Sequence, residues 1–275
     1  MSVEGAVSRH YAKAGVEALI LDAFKTIGRD PATLTADDLS AVDEFHMGGR
    51  TATVELAEAL ELRPEHRVLD IGSGLGGPAR YFARRSGCRV SGIDLTPDYV
   101  AAANALTRRV GLAGQVDFQT ASALDLPFEP ASFEAASLIH VGMNIADKDG
   151  LCGEAARVLK PGGVFAVYDV MRTGPGDPAY PVAWAAGPAT PFLADPATYR
   201  EALRRAGFVV IRERDRTDIA LEVFRRFQAR VAERGLPTLG LHLLMGSDTS
   251  QKIANMVGAL EEGVVHPILM VAHRR

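Results

Sequence analysis

Apolar positions along the chain follow two periods, and the elements change where the period changes. In Ala6–Ile27 the residues Val16, Leu19, Ile20, Ala23 and Phe24 recur at helical spacing and predict one or two helices. Thr35–Leu39 reads as the capped start of a short helix. Val42–Ala52 is too polar for a core strand, and Thr53–Leu60 resumes a helical pattern. From there, short apolar runs alternate with amphipathic stretches. Strands are predicted over Val68–Ile71, Arg89–Asp94, Val116–Thr120, Phe133–Ile139, Val164–Asp169, Phe208–Arg212 and Pro267–Ala272. Helices are predicted from Pro78 to Arg84 and over Pro97–Val110, Leu151–Leu159, Asp195–Gly207, Thr217–Glu233 and Ser250–Glu262. Alternation of this kind implies parallel βαβ units. The fold class is therefore α/β: a doubly wound, mostly parallel seven-stranded sheet with helices on both faces and one antiparallel strand at the end. Residues 1–60 are expected to form an N-terminal helical cover over a main domain of residues 61–275. The two helices before the last strand predict a helical cap inserted at about residues 214–264.

Composition narrows the function classes. With 47% apolar residues in 275, the chain can bury a full core. The formal charge of −4 disfavours nucleic acid, and the pairs Arg204–Arg205 and Arg225–Arg226 read as solvated helix faces with acids nearby. Cys88 and Cys152 give neither a disulfide framework nor a metal cluster, so no metal is expected. The first residues carry an early acid and no apolar core of a signal peptide, and no run approaches a membrane span, which makes a cytoplasmic protein without membrane contact the expectation.

The most informative stretch is Arg67–Ala83. A short apolar strand ends in Gly72, Gly74, Gly76 and Gly77, and a helix opens with Pro78 at a position its first turn tolerates. Such a turn lets a ligand approach the backbone, and a helix N-terminus has N–H groups to offer it. Two ligand classes fit the spacing. Gly72-x-Gly74-x-x-Gly77, with Asp94 about twenty residues on, satisfies the dinucleotide fingerprint. Asp70-x-Gly72-x-Gly74-x-Gly76 adds an acid that would repel a pyrophosphate and attract a sulfonium and an ammonium.

This acid-x-Gly-x-Gly loop resembles the principal motif of class I S-adenosylmethionine (SAM) methyltransferases. RVLKPGG at 157–163, followed by an apolar strand, sits where that family carries it and argues against a dehydrogenase. The segment from Phe45 to Gly49, followed by Ala52-Thr53, resembles the small-molecule methyltransferases of the sarcosine/dimethylglycine N-methyltransferase kind. The resemblance implies the Rossmann-like methyltransferase fold, SAM as cofactor and S-adenosylhomocysteine as product. It places Asp70, Gly72, Ser73, Gly74, Gly76, Asp94, Leu95, Ser122, Ala123 and Ile139 at the cofactor, with His46, Gly48 and Gly49 near it. Asp94 is expected on the ribose hydroxyls. Ser122 stands where many members carry an acid for the adenine amino group, and the Ala123 N–H is free to meet a ring nitrogen.

Carboxyl ends of strands face the ligand crevice in open α/β sheets. His140 and Asp169 stand at such ends and are the candidate catalytic groups, His140 as proton acceptor. The loop 174–192 has the composition of a lid. Its Tyr180 and Trp184, together with Met143 and Asn144, are expected to wall the acceptor. Arg50 and Arg172 are candidates to pair a carboxylate on it. The expected reaction is methyl transfer to a small molecule, first a small amine such as a glycine derivative. The alternatives are C- or O-methylation of a natural product or prenyl-type substrate, and SAM binding without turnover. A monomer or homodimer acting on a small-molecule methyl acceptor is the expected assembly.

Overall fold

The computed structural model describes residues 2–275. Seven strands form one sheet in the order β3-β2-β1-β4-β5-β7-β6. They are β1 (Arg67–Ile71), β2 (Arg89–Asp94), β3 (Val116–Thr120), β4 (Phe133–Ile139), β5 (Leu159–Arg172), β6 (Phe208–Asp215) and β7 (Val265–Arg274). The pairs β1–β2, β1–β4, β2–β3 and β4–β5 are parallel. β7 runs antiparallel to both β5 and β6, so the reversed strand is last in the chain yet lies inside the sheet. β6 is the outer strand there, and its charged Arg212-Glu213-Arg214-Asp215 end blunts an edge that would otherwise invite pairing.

Strand order reverses between β1 and β4, which opens the crevice at their carboxyl ends. Helices α4 (Gly49–Ala59), α5 (Gly77–Ser86) and α6 (Pro97–Arg109) cover one sheet face. There Leu56, Phe82 and Ala103 pack on Val68, Val90 and Ala135. On the other face α7 (Lys148–Val158) and α8 (Pro196–Arg205) place Leu151, Ala155 and Leu203 on Leu69, Leu138 and Phe165. Strand residues alternate between these two cores, as period two requires.

The N-terminal part forms α1 (Val3–Tyr11), α2 (Val16–Thr26) and the short α3 (Ser40–Asp43). Val16, Ile20 and Phe24 of α2 pack on Tyr99, Ala102 and Leu106 of α6. Between β6 and β7 lie α9 (Thr217–Arg234), the short α10 (His242–Met245) and α11 (Thr249–Glu261), where the cap was expected. Ala220, Met245, Ile253 and Met256 share a core with Val170, Val182, Trp184 and Val265. No helix among the described residues is long and apolar enough to cross a membrane.

The structure departs from expectation mainly at element ends. α4 begins at Gly49, four residues before the expected Thr53, because Gly48 (φ 87°) supplies a left-handed cap that starts the helix at once. α7 begins at Lys148 because the Asp147 carboxylate accepts the Gly150 N–H as an N-cap. Thr35–Asp38 is a capped turn, with the helix starting only at Ser40. β5, β6 and β7 all outrun the apolar runs that announced them, since pairing with a long neighbour extends a strand through polar residues.

Candidate active site

A cavity of about 280 Å³ lies at the carboxyl ends of β1, β2 and β4. The cover closes it through Val3, Glu4, Val7 and Tyr11 of α1. The cap closes it through Phe224, Leu241, Met245 and Met256. Its inner end is lined by Asp70, Gly72, Ser73, Gly74, Ile93, Asp94, Leu95 and Ile139.

The glycine turn supplies room rather than donors. The N–H groups of Ser73, Gly74 and Gly76 are taken by the Ile93 carbonyl, Asp94 Oδ2 and the Ser73 carbonyl. A Cβ on Gly74 would meet nothing within 4 Å, whereas on Gly72 it would lie 2.2 Å from Val141 and on Gly76 2.3 Å from Phe118. Gly74 thus faces the cavity, Gly72 lets Val141 pass, and Gly76 only starts α5 and does not line the cavity.

Three carboxylates stand here, those of Asp43 and Asp70 buried and that of Asp94 half-buried. Asp70 is paired in register with Ser137 across β1 and β4, and its Oδ1 accepts the Ser137 hydroxyl at 2.8 Å. Its Oδ2 is buried without a partner, and burial pushes its acid up to about 6. Asp94 accepts the Gly74 and Thr96 N–H groups at 2.9 and 2.8 Å, and burial raises its pKa too. Asp43, on the short helix before the FHMGG segment, was missed in the sequence because only the tertiary fold brings it here. Its Oδ2 accepts Arg80 at 2.7 Å, and its Oδ1 is buried without a partner. Burial, outweighing Arg80, raises its pKa. Ser73 Oγ is likewise buried and unpaired. Among the described residues, Glu4, Asp43, Asp70, Asp94 and Asp147 line the cavity and no Lys or Arg does, so the field inside it favours a cation.

In the segment expected to meet adenine, Ala121, Ala123 and Leu124 line the cavity, but Ser122 does not. The Ser122 hydroxyl donates to Glu4 of α1 and accepts the Leu124 N–H. The carboxylate absent from position 122 is therefore present nearby, brought by a helix distant in sequence.

His140 has both ring nitrogens engaged. Nδ1 donates to the Tyr168 carbonyl at 3.3 Å, and Nε2 accepts the Met47 N–H at 3.3 Å. Burial, reinforced by His46, lowers its pKa to about 3, so it is neutral at physiological pH and a weak proton acceptor. It is held at φ 54°, a left-handed backbone uncommon outside glycine. His46 lines the cavity and donates from Nε2 to Glu44 at 2.9 Å.

Asp169, expected as a catalytic group, does not line the cavity. Fully buried, it accepts the Tyr199 hydroxyl and the Val170 N–H, and burial raises its acid to about 6. Arg50 is engaged by Glu44 at 3.0 Å and lies over the Tyr81 ring at 4.8 Å. Arg172 pairs with Asp177 at 2.7 Å and with the Gly176 carbonyl. Neither arginine lines the cavity. Tyr180 is half-buried against the cap core outside the cavity, and Gly48 and Gly49 serve the start of α4 rather than the cavity wall.

Met143, Asn144 and Trp184 do line it. Asn144 ties the parts together: its Nδ2 donates to the Trp184 carbonyl at 3.1 Å, and its Oδ1 accepts the Tyr11 hydroxyl at 3.0 Å. Lid, core and cover thus meet at one side chain.

Residues 69–167 match the methyltransferase domain family. The chain is 35% identical over 137 residues to Methyltransferase GfsG of Streptomyces halstedii, covering 50% of this chain and 49% of that protein. It is 35% identical over 157 residues to a sterol 24-C-methyltransferase of Eremothecium gossypii, covering 55% and 42%. The chain thus spans about half the length, or less, of these curated relatives. Among solved structures, a geranyl diphosphate C-methyltransferase from Streptomyces coelicolor A3(2) superposes with TM-score 0.71 at 18% identity, covering 100% of this chain and 98% of that one. A protein described as a candidate sarcosine dimethylglycine methyltransferase of Galdieria sulphuraria superposes with TM-score 0.65 at 21% identity, covering 80% and 83%. The [4+2]-cyclase SpnF shares the fold over 96% of this chain with TM-score 0.66 at 23% identity. Residues 69–167 thus match a methyltransferase domain, and the sheet has the fold that these solved structures share.

Proposed function

We propose that the protein transfers a methyl group from SAM to a nucleophilic atom of a small molecule enclosed between the sheet, the cover and the cap. The observation that carries this reading is the Asp70 carboxylate, buried beside the glycine turn with one oxygen unpaired in a cavity that no Lys or Arg among the described residues lines. An isolated buried carboxylate is costly, and a cationic ligand offsets that cost. When bound, SAM supplies an electrophilic methyl on a positively charged sulfur.

The chain's own residues account for the rest. Asp70 and Asp43 favour the cationic end, Asp94 has lone pairs left for ribose hydroxyls, and Gly74 leaves space for the nucleoside. Glu4, beside Ser122, is the group for the adenine amino function. α1 and the cap keep water from the reacting atoms. Alignment of two enclosed reactants contributes on the order of 7–11 kcal/mol, which is enough to make a dedicated base secondary. That fits the weak basicity of His140.

Isothermal titration tests the reading. SAM and S-adenosylhomocysteine are expected to bind, and Asp70→Asn to weaken SAM at least tenfold. Binding of NAD in place of SAM overturns the assignment. Release of S-adenosylhomocysteine with an acceptor distinguishes turnover from binding alone, a distinction the shared fold of a cyclase makes necessary.

A further inference from the structure

We infer that the methyl acceptor is an uncharged, chiefly apolar molecule seated under the cap, not a carboxylated amine and not a phosphorylated substrate. The inference rests on the methyltransferase reading and adds the substrate class to it.

The two ends of the cavity differ in chemistry. The inner end carries the carboxylates of Asp43, Asp70 and Asp94. The end under the cap is lined by Met143, Trp184, Phe224, Leu241, Met245 and Met256, none of which can ionise. A carboxylate or phosphate placed there would be desolvated, would face the negative field of the inner end and would have no cation to pair with. Burying an unpaired ion is strongly unfavourable.

The cations packed around this region are committed elsewhere. Lys252 donates to the Met245 carbonyl at 2.7 Å and pairs with Asp248 at 3.0 Å. Lys148 donates to the Ile145 and Phe192 carbonyls. Lys13 donates to the Leu243 carbonyl. None of the three lines the cavity. Each holds a backbone segment of the enclosure, so recruiting one to an anionic acceptor would break the wall that shapes the pocket.

Methionine is well suited to this wall. Met143, Met245 and Met256 are flexible and polarizable, and adjust to an irregular apolar surface without a polar demand of their own.

Trp184 is the chain's only tryptophan and lines this end, so its fluorescence reports occupancy directly. The probes are geraniol and geranyl diphosphate, which share an apolar tail and differ in charge, and sarcosine as the carboxylated amine. Binding of S-adenosylhomocysteine is measured first by calorimetry, which tests the cofactor reading separately. Each probe is then titrated with and without S-adenosylhomocysteine. Geraniol is expected to give a saturable change at least tenfold tighter than geranyl diphosphate, and sarcosine none. Met256→Lys is expected to weaken geraniol at least tenfold and to tighten geranyl diphosphate, with S-adenosylhomocysteine affinity retained. Phe224→Ala, at a half-buried position less prone to misfold, is expected to weaken geraniol alone. No saturable response to geraniol, or tighter binding of either charged probe, overturns the inference. If S-adenosylhomocysteine fails to bind, the cofactor reading falls, while the geraniol comparison in its absence still decides the acceptor class.

Discussion

Asp70 is held in a state that suits a ligand better than it suits the free protein. Its pKa, raised by burial to about 6, lies above the ordinary carboxylate value, so the folded state binds a proton more tightly than the unfolded chain does. Stability from this group is therefore present below the unfolded pKa and is lost as pH rises toward about 6. Asp70→Asn keeps an acceptor for Ser137 and removes the buried charge. It is expected to raise the melting temperature of the free protein at pH 7, by about 1–3 kcal/mol of stability, while weakening SAM. A lower melting temperature at pH 7 would contradict this account. The same protonation implies that SAM affinity falls as pH drops through about 6 in the wild-type protein and not in Asp70→Asn. His140 makes the opposite prediction. With its pKa lowered to about 3, it titrates outside the working range. His140→Asn, chosen because Asn tolerates the left-handed backbone, should lower turnover up to about tenfold by loosening Met47. The shape of the pH–rate profile between pH 5 and 8 should stay as it is. Loss of a limb in that interval would restore His140 as a base.

Between β1 and α5, one turn holds glycines that do different work. At Gly72 both the φ of 72° and the 2.2 Å approach to Val141 forbid a side chain. At Gly74 only the φ of 52° does, because the space beyond is open. Gly72→Ala is expected to cost about 2–4 kcal/mol from overpacking and left-handed strain together. Gly74→Ala should cost about 1 kcal/mol and still lose most SAM affinity. Thermal melts beside titrations separate the two, and equal loss of stability at both positions would contradict the geometry. A strand, a glycine turn and a helix start were all readable as local pattern. The element that completes the adenine end was not, because nothing near Ser122 announces Glu4, more than a hundred residues earlier in the chain.

Taken whole, the molecule encloses its cavity with segments from both ends of the sequence. α1 arrives from the N-terminal cover and reaches Asn144 through Tyr11. α9, α10 and α11 arrive from the insertion before β7. These parts contribute little to the sheet cores, so they are the ones free to open for exchange of cofactor and acceptor. Hydrogen exchange in α1 and α9–α11 is expected to slow when S-adenosylhomocysteine binds, with β1 and β4 unchanged. Equal protection before and after would mean that cover and cap are fixed walls.

The strand–helix alternation, the glycine turn with its acid and the capped insertion are properties of neighbouring residues, and periodicity and local charge suffice to read them. Asp94 and Gly74 belong to that readable set. The fates of Arg50, Arg172, Tyr180 and Asp169 do not. Whether a charged side chain meets a ligand or a neighbour depends on which partner the fold brings within hydrogen-bond reach, and Glu44, Asp177 and Tyr199 reached them first. The order of the last two strands, the arrival of Asp43 and Glu4 at the cavity and the absence, among the described residues, of Lys and Arg along its wall are likewise long-range outcomes. Chain pattern sets which elements form, and only packing in three dimensions decides which charges are left for a ligand.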